Sequence, residues 1–515
     1  MTATMMPQWI IWLFIGGQAA LMSVIIIYLA KSKKENTAES YLTAGRSVGL
    51  GLSSASIVAE WTWAATIMVA SQLGYILGFS GAFWYALAAT LPFFPFALLA
   101  LKLKKEFPQA RSFPEYFYYR FDKKNHILLS VFGFIVALMV SIMIVVGGGI
   151  TIYQFSGMDP IMAMVLIVLA FSSYTVIGGL YGTVFSDAMQ GLLIYLVFGI
   201  VIVGMAVAVG PQEIYNGLLN MIQGNNQDYV SRALENGVTR EALEESLSIL
   251  SLPGFVLGIG LIISNFPAVF VEQAFWGRSI AVKDAKIATR AFIIGGLAWF
   301  PIPAAVGLAL GTGGLALGML QPGTSPDSIA PSTVQNVLGM TGMIAFLFGL
   351  IAAMLSTGSG ELNAASTIFS NDLYRRYFNR NATDKQILRV ARLFGIVFAV
   401  GVLIASIAVF KAGLSMLDVY LAMGVFVGSA CVPIFLGMLW KRCSADGSFY
   451  GAVIGSVLAI IIFLVYGEVP ATITAVASST IITVALSFIQ NNQYDFDRMI
   501  EIDVDKDDHA SIKVV

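Results

Sequence analysis

The chain of 515 residues is 57% hydrophobic and only 11% charged, with a mean hydropathy of +0.81, a balance that excludes a soluble globular domain. A formal net charge of −1 offers no basic surface for nucleic acid. Two cysteines, Cys431 inside an apolar run and Cys443 beside Lys441 and Arg442, provide neither a disulfide framework nor a metal site. The class that remains is an all-α polytopic membrane protein.

Apolar runs long enough to cross roughly 30 Å of hydrocarbon number thirteen: 9–30, 47–77, 81–101, 126–153, 159–179, 184–209, 251–272, 290–314, 337–372, 388–409, 415–440, 447–466 and 468–488. The first is followed, not preceded, by Lys31, Lys33 and Lys34, so it reads as a retained helix with its N-terminus outside rather than a cleaved signal. Thirteen crossings then put the C-terminus inside. Basic residues give an independent test. On this topology the inside segments 31–46, 102–124, 278–290, 375–392, 441–442 and 489–515 hold 26 of the 29 Lys and Arg, leaving Arg232, Arg240 and Lys411 outside. The positive-inside rule demands such an asymmetry.

Taken in order, the second span is the first with unusual character. At 47–77 it is too long for one straight crossing, and its middle, SSASIVAEWTWAAT, is polar. Secondary transporters place unwound backbone at the midplane in such helices, where freed carbonyls meet ions. Glu60 lies there, and an acid at membrane depth is a functional candidate by default. With Trp61, Trp63, Thr66, and Trp84 and Tyr85 in the next span, it combines hydrogen-bonding groups with aromatic walls. Any one of these rings taken alone is better explained as packing or an interfacial belt than as a solute contact. The segment 210–250 is rich in Asn, Gln and Glu, and ENGVTREALEESL predicts a short amphipathic helix in a solvated outer loop.

Span seven, PGFVLGIGLIISNFPAVFVEQ, carries Pro253, Asn265 and Pro267 and is a second interrupted helix. Two such helices five spans apart predict an inverted repeat, 47–209 against 251–440. The flanking pieces are 1–46, the loop 210–250, two accessory helices in 441–488, and a tail at 489–515. GTGGLALG at 311–318 lacks the GK[ST] of a phosphate loop. In the ninth span, Ala353, Ser356 and Thr357 lie at i, i+3 and i+4, so a carbonyl and two hydroxyls crowd one helical face. Uncharged oxygens of this kind suit a small hard monovalent cation such as sodium. The alternative is that these hydroxyls bond back to the preceding turn and serve helix packing. Glycines every fourth residue in GSFYGAVIG, 447–455, allow close helix approach. The acidic tail is too short for a kinase, cyclase or nucleotide-binding domain.

Three stretches, GGLYGTVFSDAMQGLL (178–193), STGSGELNAASTIFSNDLY (356–374) and GVFVGSACVPIFLGMLWKRCSADGSFYGAVIG (424–455), resemble the sodium:solute symporter family. AEWTWAAT (59–66) and FSGAFWYALAAT (79–90) resemble its urea active transporter branch most. The resemblance covers about 40–455 and implies thirteen transmembrane helices in a LeuT-like fold of inverted five-helix repeats with discontinuous helices. By position, the family's sodium site falls on the carbonyls of Ala59 and Thr62 and on Ala353, Ser356 and Thr357. Its coupling acid falls on Asp187. A further sodium site would want adjacent serines, and here Ser359 is followed by Gly360.

These readings predict a secondary active transporter, not an enzyme, that couples sodium as its only cofactor to symport of a small polar organic solute, urea first, by alternating access. Glu60, Trp61, Trp63, Thr66, Trp84 and Asn265 are the solute candidates, and Asp187 and Ser359 the coupling candidates. The alternatives are sodium- or proton-coupled uptake of an amino acid, amine or polyamine, which an unpaired Glu60 would favour, and a urea channel. The expected setting is a bacterial inner (plasma) membrane, with solute and lipid as partners and no nucleic acid.

Overall fold

The computed structural model describes residues 5–32, 37–414, 416–491, 493–502 and 504. Helices α1 (Gln8–Ser32), α2 (Leu50–Trp61), α3 (Ala64–Leu77), α4 (Phe79–Glu106), the short α5 (Phe113–Arg120), α6 (Lys123–Ser156) and α7 (Pro160–Ala208) form the first half. Three further helices, α8 (Pro211–Ile222), α9 (Gln227–Glu235) and α10 (Arg240–Glu244), bridge to the second half. That half comprises α11 (Leu252–Val271), α12 (Gln273–Ala281), α13 (Ala285–Ala316), α14 (Gly339–Thr367), α15 (Asp384–Lys411) and α16 (Met416–Leu439). The pair α17 (Ala445–Tyr466) and α18 (Glu468–Gln490) follows.

Eleven helices among the described residues are long and apolar enough to cross a membrane, against thirteen expected spans. Backbone geometry accounts for the difference. Helix α7 has 49 residues and breaks at Gly179, with φ 54° and ψ −155°. At 1.5 Å per residue it is about twice the length that hydrocarbon requires, so it supplies two crossings. A Cβ at residue 179 would lie 2.6 Å from the carbonyl oxygen of Tyr41, so the bend needs glycine for space as well as for its left-handed φ. The span at 47–77 escapes the count because it is two short helices, α2 and α3. With α1 set aside, each half of the molecule thus opens with a broken helix, α2/α3 or α11/α12, and continues with four crossings. A parallel bridge between Val48 and Val282, with Val48 N–H donating to Ala281 O at 3.0 Å, ties the start of one broken helix to the end of the other.

The segment 210–250 departs from the expectation of a solvated loop. Ile214, Leu218 and Met221 lie at i, i+4 and i+7 on α8 and bury with Val230, Leu243 and Leu315 in a separate apolar cluster. This cap is anchored where α3 turns into α4, since Phe79 N–H donates to Ser246 O at 2.9 Å.

Candidate cation and solute site

The site is built on the two helix breaks. Helix α2 ends at Trp61; Thr62 (φ −93°, ψ 75°) and Trp63 (φ −75°, ψ 165°) leave helical space before α3 begins. Such a break strips carbonyls of their N–H partners, which is costly inside hydrocarbon. Each is satisfied here. Ala59 O accepts from Thr62 N–H at 3.2 Å and Glu60 O from Thr357 Oγ1 at 3.0 Å. Trp61 O accepts from both Thr66 Oγ1 (2.9 Å) and Trp299 Nε1 (3.0 Å), while Thr66 Oγ1 accepts from Trp63 N–H at 3.0 Å. In the second half, Pro267 removes one backbone donor from α11, and the helix ends at Glu272 (φ −79°, ψ 108°). Trp276 Nε1 then donates to Phe270 O at 2.8 Å.

Four acids and one arginine converge between these breaks. Glu60, Asp187, Glu272 and Glu361 are completely buried and Arg278 is 1% exposed. Arg278 Nη2 donates to Glu60 Oε2 at 2.5 Å and to Asp187 Oδ2 at 2.6 Å; its Nε donates to Ser56 Oγ at 2.8 Å and its Nη1 to Ala274 O at 2.7 Å. Ser56 Oγ and Ser356 Oγ donate in turn to Asp187, at 2.6 and 2.8 Å. One guanidinium therefore binds α2, α7 and α12 into a single charged knot. This corrects two expectations. Arg278, counted from the sequence among inner-loop charges, lies inside the bundle, and Glu60 is paired.

The sodium candidates are brought together in part by the same contacts. Ser356 and Thr357 on α14 reach Asp187 and the α2 break, where Ala59 and Thr62 lie. Both hydroxyls donate their proton elsewhere and so keep lone pairs for a cation. Ala353, one turn earlier on α14, is fully buried. Thr62 Oγ1 donates back to Val58 O at 2.7 Å, so only its backbone carbonyl suits the set. Ser359 Oγ donates to Ser356 O at 2.8 Å.

Among the solute candidates, the rings of Trp61 and Trp63 meet at 4.7 Å, and Trp63 lies 6.4 Å from Tyr420. Tyr420 hydroxyl donates to Asn265 Oδ1, and Asn265 Nδ2 to Leu261 O at 2.8 Å. Trp63 Nε1 is buried without a partner among the described residues. Trp84 is not brought to this group; its ring packs on Phe255 and Phe83 at 5.3 and 5.6 Å, beside Gly258. Sequence reasoning missed Glu272, Arg278 and Tyr420. The stretch VEQAFWGRS, an acid and an arginine closely following a proline-containing apolar helix, was the available signal for the first two.

The profile of the sodium:solute symporter family matches residues 41–455, and the chain belongs to that family. It is 33% identical to the urea-proton symporter DUR3 of Oryza sativa subsp. japonica, over 88% of this chain and 64% of that protein. It is 30% identical to the probable urea active transporter 1 of Schizosaccharomyces pombe, over 94% of this chain and 76% of the relative. The chain thus spans somewhat under two thirds of the length of the first of these curated relatives and about three quarters of the second. A sodium-coupled sialic acid symporter, solved substrate-bound and outward-open, superposes with a TM-score of 0.72 at 22% identity, covering 93% of this chain and 98% of that one. The nucleobase-cation-symport transporter Mhp1 superposes at 0.58 and 12% identity, over 91% and 98%.

Proposed function

We propose that the chain is a secondary active transporter coupling sodium entry to uptake of a small neutral polar solute, urea first, by alternating access. The observation that carries the solute class is the Arg278–Glu60 ion pair: the carboxylate that would attract a cationic amine already has its counter-charge. Trp61, Trp63, Thr66, Tyr420 and Asn265 then offer aromatic walls with few polar groups, the lining a small solute with little apolar surface requires. The urea transporters among the relatives support the same choice. Sodium would be held by the carbonyls of Ala59, Thr62 and Ala353 and the hydroxyls of Ser356 and Thr357. Uptake of labelled urea into proteoliposomes should require an inward sodium gradient; equal uptake without one would refute the coupling, and uptake of amino acids or amines in place of urea would refute the solute.

The protein would lie in a plasma membrane with its lysine- and arginine-rich end in the cytoplasm and the 210–250 cap outside. Labelling of cysteines introduced at 225 and 385 should then occur from opposite faces; labelling from one face would overturn the orientation.

A further inference from the structure

We propose that Glu272 and Glu361 form a proton-binding site, a second cation site of the transporter next to the carbonyl and hydroxyl set. The inference rests on the transport reading above for its role but not for its existence. Glu272 stands at the α11/α12 break and Glu361 one turn beyond Thr357 on α14. One carboxyl oxygen each of Glu272, Glu361 and Glu60 lie within 4.8 Å of one another. Among the described residues no N–H or O–H reaches any of the four oxygens of the pair. Two ionised carboxylates so placed, in a site closed to solvent, repel each other, and the facing Arg278 guanidinium donates a hydrogen bond to neither. One proton converts the same contact into a charge-assisted O–H···O bond.

The arginine cannot take that role. Its nitrogens are committed to Glu60, Asp187, Ser56 and Ala274. A separate observation points into the site: Glu60 Oε1 is fully buried and, among the described residues, unpartnered, although Glu60 Oε2 is held by Arg278. Gly360 leaves the room for it, because a Cβ there would stand 2.2 Å from both Glu60 carboxyl oxygens. The charged and titratable groups facing the pair are Glu60 of α2 and Arg278 of α12, with Asp187 and Tyr174 of α7 behind them. On α4, α6 and α15, Lys104 donates to Ile280 O, His126 pairs with Asp372, and Arg392 lies over Tyr41.

The site joins the break of one repeat to the helix that carries the sodium candidates in the same repeat. A proton that binds Glu272 and Glu361 from one side and leaves to the other forms and breaks only an O–H bond. Paired acids of this kind titrate as a unit, and acids at membrane depth serve as proton relays in transporters.

The test has two arms. In purified protein without urea, infrared difference spectra recorded across a pH titration should show a protonated-carboxyl band that is lost in Glu361→Gln and in Glu272→Gln. In proteoliposomes with a lumenal pH dye, urea uptake by the wild type should acidify the lumen. Either variant should cut that proton flux at least tenfold and flatten the pH dependence of urea uptake. If the band titrates but no urea enters, the transport reading fails and the proton site stands. If urea enters while neither the band nor the pH profile changes in either variant, the proton site is overturned. It is overturned equally if sodium or a divalent ion binds the wild type stoichiometrically at fixed pH and both variants lose it. Should one variant fail to fold, the other and the wild-type titration decide.

Discussion

Replacing Arg278 with Gln keeps much of the side-chain volume and removes the one positive charge of the knot. Two ion-pair bonds, to Glu60 Oε2 and Asp187 Oδ2, and two bonds to uncharged acceptors, Ser56 Oγ and Ala274 O, are lost together. At about 1.5–3 kcal/mol for each bond to a charged group, the first two alone suggest a loss of about 3–6 kcal/mol. That agrees with the roughly 3–5 kcal/mol typical of breaking a buried ion pair from one side. Most of the loss is the desolvation of carboxylates left without a partner. The double variant Arg278→Gln with Asp187→Asn should therefore be more stable than Arg278→Gln alone, although neither should transport. Arg278→Lys should recover only part of the stability, because an ammonium is a point charge and cannot fork between Glu60, Asp187 and Ser56. Thermal unfolding in detergent followed by size-exclusion fluorescence, with urea uptake measured in parallel, checks all three. If Arg278→Gln unfolds at the wild-type temperature, or the double variant is no better than the single one, the guanidinium is not what holds α2, α7 and α12 together.

Ser356→Ala and Thr357→Ala each remove one of the five proposed sodium oxygens; at about 1–2 kcal/mol per lost contact, the sodium concentration for half-maximal uptake should rise roughly 5- to 30-fold, and unchanged sodium dependence in both would exclude the set. Glu115 on α5 tests pH. Burial alone would push its carboxyl up, but the guanidinium groups of Arg376 and Arg111 and the Arg111 N–H hold it below its ordinary 4.5. A lowered carboxyl stabilises the fold above its unfolded value and loses that contribution as pH falls through the folded one. Glu115→Gln should therefore be less stable than wild type at pH 7, with the gap closing only below about pH 4.5; a gap independent of pH would refute the assignment. Gly78→Ala should lower the yield of folded protein with little change in turnover per folded molecule, since Gly78 has φ +64° and a Cβ there would lie 2.2 Å from Ser246 O; a wild-type melting curve would argue against that anchor.

Nearly all crossings were legible because hydrophobic thickness is a one-dimensional constraint: 126–153 became Lys123–Ser156 and 388–409 became Asp384–Lys411. The breaks were legible for a related reason, as serines, threonines and an acid in the middle of 47–77 have no place in a straight apolar helix. The cap was less so, because the apolar stripe of Ile214, Leu218 and Met221 signals burial without saying what covers it. The charged knot was hidden by the very rule from which the topology is predicted. Counting lysine and arginine treats every basic residue at a span boundary as solvated, and Arg278 follows span seven just where an inner loop is expected. Only the continuation of the broken helix through α12 carries it back among Glu60 and Asp187. Glu60 reads from sequence as an unpaired acid asking for a cationic solute, and pairing with Arg278 reverses that inference toward a neutral one. The acids left unmet are Glu272 and Glu361, whose oxygens have no donor among the described residues. Cations are thus proposed at two kinds of place, one lined by hydroxyls and carbonyls and one by carboxyls. Oxygens without charge suit sodium, whereas facing carboxyls are relieved most directly by a proton.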